Sequence, residues 1–150
     1  MNSSSEPTLP SDIEVNESFT RFIFSRRHFA PEKGRVKPQA IQPRFNAHRA
    51  RWETSTHRIE GLTAAEIWKL GYANVENART NQRIKARGTG SFALVTTQEL
   101  ALDVNGPPFP RHVDIIGWST TDKDLRLMKA TEIANKMQLE VDPRVSGHAR

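Results

Sequence analysis

His112-Val-Asp-Ile-Ile-Gly-Trp118 follows a proline-rich loop, is apolar and β-branched through its middle, and ends on a glycine, which is the pattern of a buried strand. Ser119 to Thr121 come next with side chains suited to capping. Beyond them Leu127, Ala130, Ile133, Ala134 and Met137 fall within a stripe of about 120° on a helix of about 16 residues. A strand feeding an amphipathic helix predicts a sheet with that helix laid across it, because neither element can bury its apolar side alone.

Working upstream, Asn105-Gly-Pro-Pro-Phe-Pro110 is a loop, since its prolines remove donors and fix φ. Arg83 to Thr96 reads as strand material interrupted by Gly88 and Gly90. Thr96 and Glu99 have capping-box spacing, which predicts a short helix through Leu100 to Leu102. Thr63 and Glu66 have the same spacing, and Leu62 and Ile67 stand where a hydrophobic staple needs them. A helix therefore starts at Thr63, with Gly71 offering a stop and Ala73 to Ala78 a further turn. Trp52 to Ile59 is Thr-rich and suits a half-exposed strand. Residues 25–51 form a long connection with one extended piece near Val36 to Ile41, and Phe19 to Phe24 is the first strand. The expected fold is α+β: a single-domain two-layer sandwich, a mixed sheet of about four or five strands with two main helices on one face.

The chain has 150 residues of which 36% are hydrophobic, enough for one core and not two. Residues 1–17 hold few sizeable apolar groups and read as a disordered acidic tail. Residues 18–143 form the domain, and 144–150 read as a frayed end. No cysteine is present, which excludes disulfides, thiolate metal sites and cysteine nucleophiles. No run approaches the roughly 18 apolar residues of a membrane span, and the N-terminus lacks a secretory pattern, so a cytoplasmic protein with no membrane association is expected.

Charge is unevenly placed. Residues 1–17 carry −4, residues 18–59 carry +8 and residues 60–150 carry +1. The basic segment interleaves arginines with Phe29, Phe45 and Trp52. Cations neutralise phosphates and exposed aromatics stack on unpaired bases, so the pattern suits single-stranded nucleic acid; a solvated basic loop anchored by its aromatics has the same signature. The anion-binding residues expected on this basis are Arg26, Arg27, Lys33, Arg35, Lys37, Arg49, Arg51, Arg58 and Arg111.

Arg87-Gly-Thr-Gly-Ser91 has the glycines of an anion-cradling loop but neither the Walker nor the dinucleotide pattern, and a bulge or kink in a strand is the competing use. The histidines show no H-x-x-x-H or H-E-x-x-H spacing, so neither a metal nor any other cofactor is expected. In a strand His112 and Asp114 share a face, and His57 becomes a second imidazole if its strand pairs alongside. The catalytic candidates are therefore His57, His112 and Asp114, with Arg58 or Arg111 as anion clamp.

The segments Phe24-Ser, His28-Phe-Ala30, Lys33-Gly-Arg-Val-Lys-Pro38, Ile67-Trp-x-Leu-Gly71 and Arg111-His-x-x-Ile-x-Gly-Trp118, spread over residues 19–143, resemble a family of short bacterial proteins. The resemblance implies a single-domain bacterial protein and carries no activity, cofactor or catalytic residue with it. It also suggests that Lys33 to Pro38 and Arg111 to Trp118 share a surface. Two functional expectations stand side by side. One is a small basic accessory protein contacting an anionic partner, nucleic acid or an acidic protein face, through residues 26–58. The other is a metal-independent hydrolase or transferase acting on a phosphorylated compound through His57 and His112.

Overall fold

The computed structural model describes residues 13–14, 16–76, 82–104 and 111–144. Its centre is the first strand. β1 (Ser18–Ile23) alternates Phe19 and Ile23 on one side with Thr20 and Phe22 on the other, so an apolar side chain faces each way and both faces of the sheet need cover.

β1 is flanked by β5 (Arg51–Arg58) and β6 (Ala86–Ser91). β8 (His112–Ile116) and β7 (Ala101–Asp103) extend the sheet beyond β5, and β9 (Gln138–Val141) closes the other edge on β6. The short β4 (Arg44–Asn46) also pairs with β5, and every pairing is antiparallel. The α+β class is as expected. Among the described residues the sheet has seven strands, antiparallel where a mixed sheet was expected, and it is larger than expected because β4, β7 and β9 are three or four residues long and too short for periodicity to reveal.

The Phe19 face is the larger core. It takes Val113 and Ile115 from β8 together with the helices α2 (Phe92–Thr97) and α3 (Lys123–Ala134), which contribute Phe92, Val95, Ala130, Ile133 and Ala134. Phe19 and Phe92 stack at 4.9 Å between ring centres. α1 (Ala64–Leu70) covers the opposite face, where Ile67 and Trp68 cluster with Phe22 and Ile84. Helices thus lie on both sides of the sheet.

At α1 the local sequence alone sets where the helix begins. Thr63 Oγ1 accepts from Glu66 N at 3.2 Å and Glu66 Oε1 accepts from Thr63 N at 2.9 Å, the reciprocal capping box. Gly71 does not stop the chain. It keeps helical φ −61° and ψ −47°, and the helix widens into a π turn over Gly71–Glu76. A Cβ at Gly71 would lie 2.6 Å from the Phe22 ring, so the glycine serves close packing. Between Arg83 and Leu102 the assignment changes. Ser91 Oγ accepts from Ala93 N and starts a helix where a strand was expected, whereas Leu102 lies in a strand where a helix was expected. Phe92 and Val95, three residues apart, are both buried, and this spacing outweighs β propensity. At the last helix Asp122 is the cap, and twelve residues follow rather than sixteen. Leu127, expected in the stripe, is 40% exposed.

The basic connection is built of 3-10 turns, Arg26–His28, Pro31–Lys33 and Pro38–Ala40, with a minimal hairpin of β2 (Phe29–Ala30) and β3 (Arg35–Val36) between them. Gly34, at φ +61°, makes its turn. Phe29, Val36, Ala40 and Ile41 pin the segment to the large core. At the far end Arg144, expected to fray, donates to both Asp142 and Glu76 and lies 3.8 Å over the Tyr72 ring. Burial and the hydrogen bond to Asp142 push the Tyr72 hydroxyl up to about 12.

Candidate functional site

Antiparallel pairing sets His57 opposite His112 and Ser55 opposite Asp114, so all four side chains rise from one face of neighbouring strands. The two imidazoles are 5.4 Å apart between ring centres. Nε2 of His112 lies 2.8 Å from Asp114 Oδ1, and Ser55 Oγ donates to the same oxygen at 3.3 Å. The second carboxylate oxygen accepts from Arg49 Nη1 and Arg51 Nη2, each at 3.2 Å.

Asp114 is 2% exposed. Burial pushes its carboxyl up, but the hydrogen bond and charge of His112 and the charges of Arg51 and Arg49 win, holding it below the ordinary aspartate range. Arg51 also binds Glu53 at 2.8 Å and Asp103 at 2.8 Å. These two arginines therefore alternate with three carboxylates along the strand ends, an ion-pair lattice partly open to solvent. His57 lies deeper, against Phe22 at 5.8 Å. Burial first, then the fields of His112 and Arg21, pull its value down to about 3, so at neutral pH it is an uncharged imidazole.

The expected anion-binding set separates into three groups. Arg26, Arg27, Lys33, Arg35 and Lys37 are exposed, with Arg35 donating to Asn135 Oδ1 at 3.2 Å. Arg49 and Arg51 are engaged in the lattice just described. Arg58 and Arg111, each 3% exposed, are internal. Arg58 forks onto Glu17, with Nη2 donating to Oε1 at 2.8 Å, and Arg111 Nη1 donates to the carbonyls of Arg58 and Glu60 at 3.1 Å. Both spend donors inside the fold.

The aromatics divide as well. Phe29 is core, and Trp52 carries the Arg126 guanidinium 3.9 Å from its ring centre. Phe45, 54% exposed beside Arg44, contacts Trp52 edge-on at 5.6 Å. Arg87 to Ser91 forms an unbroken ladder with β1, so its amides serve the sheet and neither bulge nor anion cradle exists. A Cβ at Gly88 would meet Met137 at 2.7 Å and Val36 at 2.9 Å, which explains the glycine by packing. Lys33 to Pro38 and Arg111 to Trp118 both feed the large core, through Val36 and through Val113, Ile115 and Trp118. Their charged members part company, exposed in the first and buried at Arg111, and do not make the expected shared surface.

Ser55, Glu53 and Asp103 are site members that residue-by-residue reading missed; only strand register could have revealed them. Among the described residues no group of three or more His, Asp or Glu side chains is placed to hold a metal ion, and no helix is long and apolar enough to cross a membrane. No protein-family model, curated protein or solved structure matches the chain. The likeness to short bacterial proteins therefore rests on the quoted residues alone.

Proposed function

We propose that the protein is a binding or accessory protein that engages single-stranded nucleic acid through the basic segment. The observation that carries this reading is the placement of Arg26, Arg27, Lys33, Arg35, Lys37 and Arg44: all are exposed, on a backbone pinned from beneath by Phe29, Val36, Ala40 and Ile41. A pinned backbone lowers the entropy lost on binding, so cations displayed this way are better prepared than the same charges on a free tail. Phe45 supplies an exposed ring beside them.

An electrophoretic mobility shift at two salt concentrations tests the reading. Phosphate-driven binding weakens with a log–log slope of about −0.7 per contact for single strands. Replacing Arg26, Arg27, Lys33 and Lys37 together by Gln is expected to weaken binding and flatten that slope. No binding to DNA or RNA at low salt removes the reading.

A second reading is favoured by the 5.4 Å approach of His57 and His112 on one face. Here His112, oriented by Asp114, would donate or accept a proton at a phosphorylated substrate while neutral His57 accepts one. Arg49 and Arg51 stand beside these groups in place of the clamp expected from Arg58 or Arg111. Turnover of a phosphoester panel, lost in His112→Gln, would support it; an inactive wild-type protein would sink it.

A further inference from the structure

The end of β1, the turn Arg26–His28 and the turn Pro38–Ala40 enclose a cleft of about 130 Å³. Its polar lining is mostly uncharged: the amides of Gln39, Gln42 and Gln82, the hydroxyl of Ser25 and the imidazole of His28, with the Phe24 ring beside them. Two arginines also reach it. Arg21 Nε donates to Ala40 O and its Nη1 to Ser55 O, both at 2.9 Å. Arg44 stands directly across the β4–β5 pair from Glu53. The cleft is therefore not built around free positive charge. What sets it apart is the number of side chains that carry a donor and an acceptor together.

The walls are fixed by the backbone. His28 N donates to Ser25 O at 3.0 Å, and Lys37 N donates to the carbonyl of His28 at 2.9 Å, which ties the first turn to the start of the second. The amides of Ile41 and Gln42 both donate to Pro38 O at 2.9 Å, and Ala40 and Ile41 root the second turn in the large core. Walls held this way lose little entropy when a ligand arrives. Burial first, then the charges of Arg21 from β1 and Arg44 from β4, hold the His28 imidazole below its ordinary value. At neutral pH the ring is therefore uncharged and, like the glutamine amides, both donates and accepts.

Pockets that enclose whole small molecules run from about 300 to 1,000 Å³, so a cleft of about 130 Å³ takes one chemical group and leaves the rest of its ligand outside. A phosphate presents acceptor oxygens and uses none of the acceptors in this lining. The edge of a nucleobase presents donors and acceptors side by side, and a glutamine amide meets N6 and N7 of adenine with one bond of each kind. Unpaired bases also stack on rings such as those of Phe and His. Resting on the nucleic-acid reading above, we infer that this cleft receives one unpaired base of a single strand, adenine before the other three, read by Gln39 and Gln42. The phosphates on either side lie on the exposed cations of the basic segment. Reading of this kind differs from stacking on Phe45, because a stack tolerates every base and an amide edge does not.

The test is binding of the full chain, by fluorescence anisotropy, to short oligothymidine strands carrying A, C, G or T at one central position, and to a strand that lacks the central base but keeps its phosphates. The adenine strand is expected to bind at least about fivefold more tightly than the others, the lower end of what one bidentate amide–base contact is worth. Gln39→Leu with Gln42→Leu keeps the bulk and removes the amides, and is expected to abolish that preference while the salt slope stays as in wild type. Gln39 is exposed. Gln39→Leu by itself should weaken the preference, and it decides the matter if the double variant fails to fold. Lys136→Gln, an exposed change beyond α3, should leave the preference unaltered. Adenosine, which has no phosphate, is the second probe, followed through the His28 ring signals as assigned with His28→Gln. Saturable movement of His28 with adenosine marks a site open to the free nucleoside, and movement with the adenine strand alone marks a site reserved for nucleic acid; either supports the cleft. No preference for adenine in the wild type, or a preference that survives loss of both amides, overturns it. If strands bind without that preference, the cleft fails and the basic surface stands. If adenosine moves His28 and no strand binds, the cleft stands and the nucleic-acid reading fails.

Discussion

Glu17 and Arg58 form a forked ion pair inside the protein, one residue before β1 and at the last residue of β5, 5% and 3% exposed. The carbonyl of Glu17 accepts from Phe92 N at 2.9 Å, and the carbonyl of Arg58 accepts from Arg111. Four segments distant in sequence therefore converge on this pair. Removing one member of a buried pair strands the other charge at a cost of about 3–5 kcal/mol.

The first prediction follows directly. Glu17→Ala should lower stability by about 3 kcal/mol or more in chemical denaturation, and deleting residues 1–17 should lower the melting temperature markedly. Ile13 packs against the large core and adds to the loss. The composition of residues 1–17 alone predicts a disordered acidic tail. An unchanged melting temperature after the deletion would show that the pair contributes nothing.

A second prediction concerns acid. His57 titrates near 6.5 when unfolded and at about 3 when folded, so between those values the unfolded chain binds a proton that the native protein refuses. Stability is therefore full above about pH 6.5 and falls as pH drops toward 3, by up to several kcal/mol at about 1.4 kcal/mol per unit. Asp114 acts in the same direction at lower pH. Its depressed value makes a contribution that is complete above about pH 3.9 and lost as pH falls through the folded value. Denaturation curves at several pH values should show His57→Gln with a much flatter slope between pH 6.5 and 4. An identical slope in wild type and variant would place the acid sensitivity elsewhere.

A third prediction separates the two members of the dyad. Gln at position 112 can keep an amide donor near Asp114, so His112→Gln should cost no more than about 1 kcal/mol. Asp114→Ala instead leaves His112, Ser55, Arg49 and Arg51 without their common acceptor, and should cost about 2–4 kcal/mol. Equal losses would mean that the carboxylate does not organise the lattice.

Legibility in the sequence depended on how local each determinant is. The capping box at Thr63 and Glu66 spans four residues and was readable in full. The strand at His112 and the Ala130, Ile133 and Ala134 part of the α3 stripe were readable for the same reason, whereas Leu127 is exposed. Ser91 was misassigned because its capping role depends on Phe92 and Val95 finding the core, which no window around it reveals. The pairing of His57 with His112 could be posed from alternation but needed register to decide. Glu17 was unreadable, since nothing in a Ser- and Pro-rich acidic stretch marks which carboxylate meets an arginine 41 residues away. The charge total over residues 18–59 was correct and misleading at once: Arg58 is consumed inside on Glu17, while Arg21, from β1, spends its donors on the carbonyls of Ala40 and Ser55.

The last prediction tests the aromatic half of the nucleic-acid reading. Phe45 lies on the short edge strand β4, 54% exposed, and its described ring contact is the edge-on approach to Trp52. Isolated exposed apolar side chains are common and need no function. Phe45 differs in following exposed Arg44 within the basic segment. Phe45→Ala should therefore leave stability within about 1 kcal/mol, since little buried area is lost. Affinity for a single-stranded oligonucleotide should fall by about 1–3 kcal/mol, or roughly five- to 150-fold, the worth of one stacked base. No charge is removed, so the salt slope should stay as in wild type, whereas Arg44→Gln should reduce it by close to one phosphate's share. Duplex DNA, whose bases are already stacked, should bind both proteins alike. Fluorescence anisotropy with single- and double-stranded probes at two salt concentrations measures all three quantities. Equal single-strand affinity in wild type and variant would leave Phe45 an ordinary exposed ring and confine the interaction to charge.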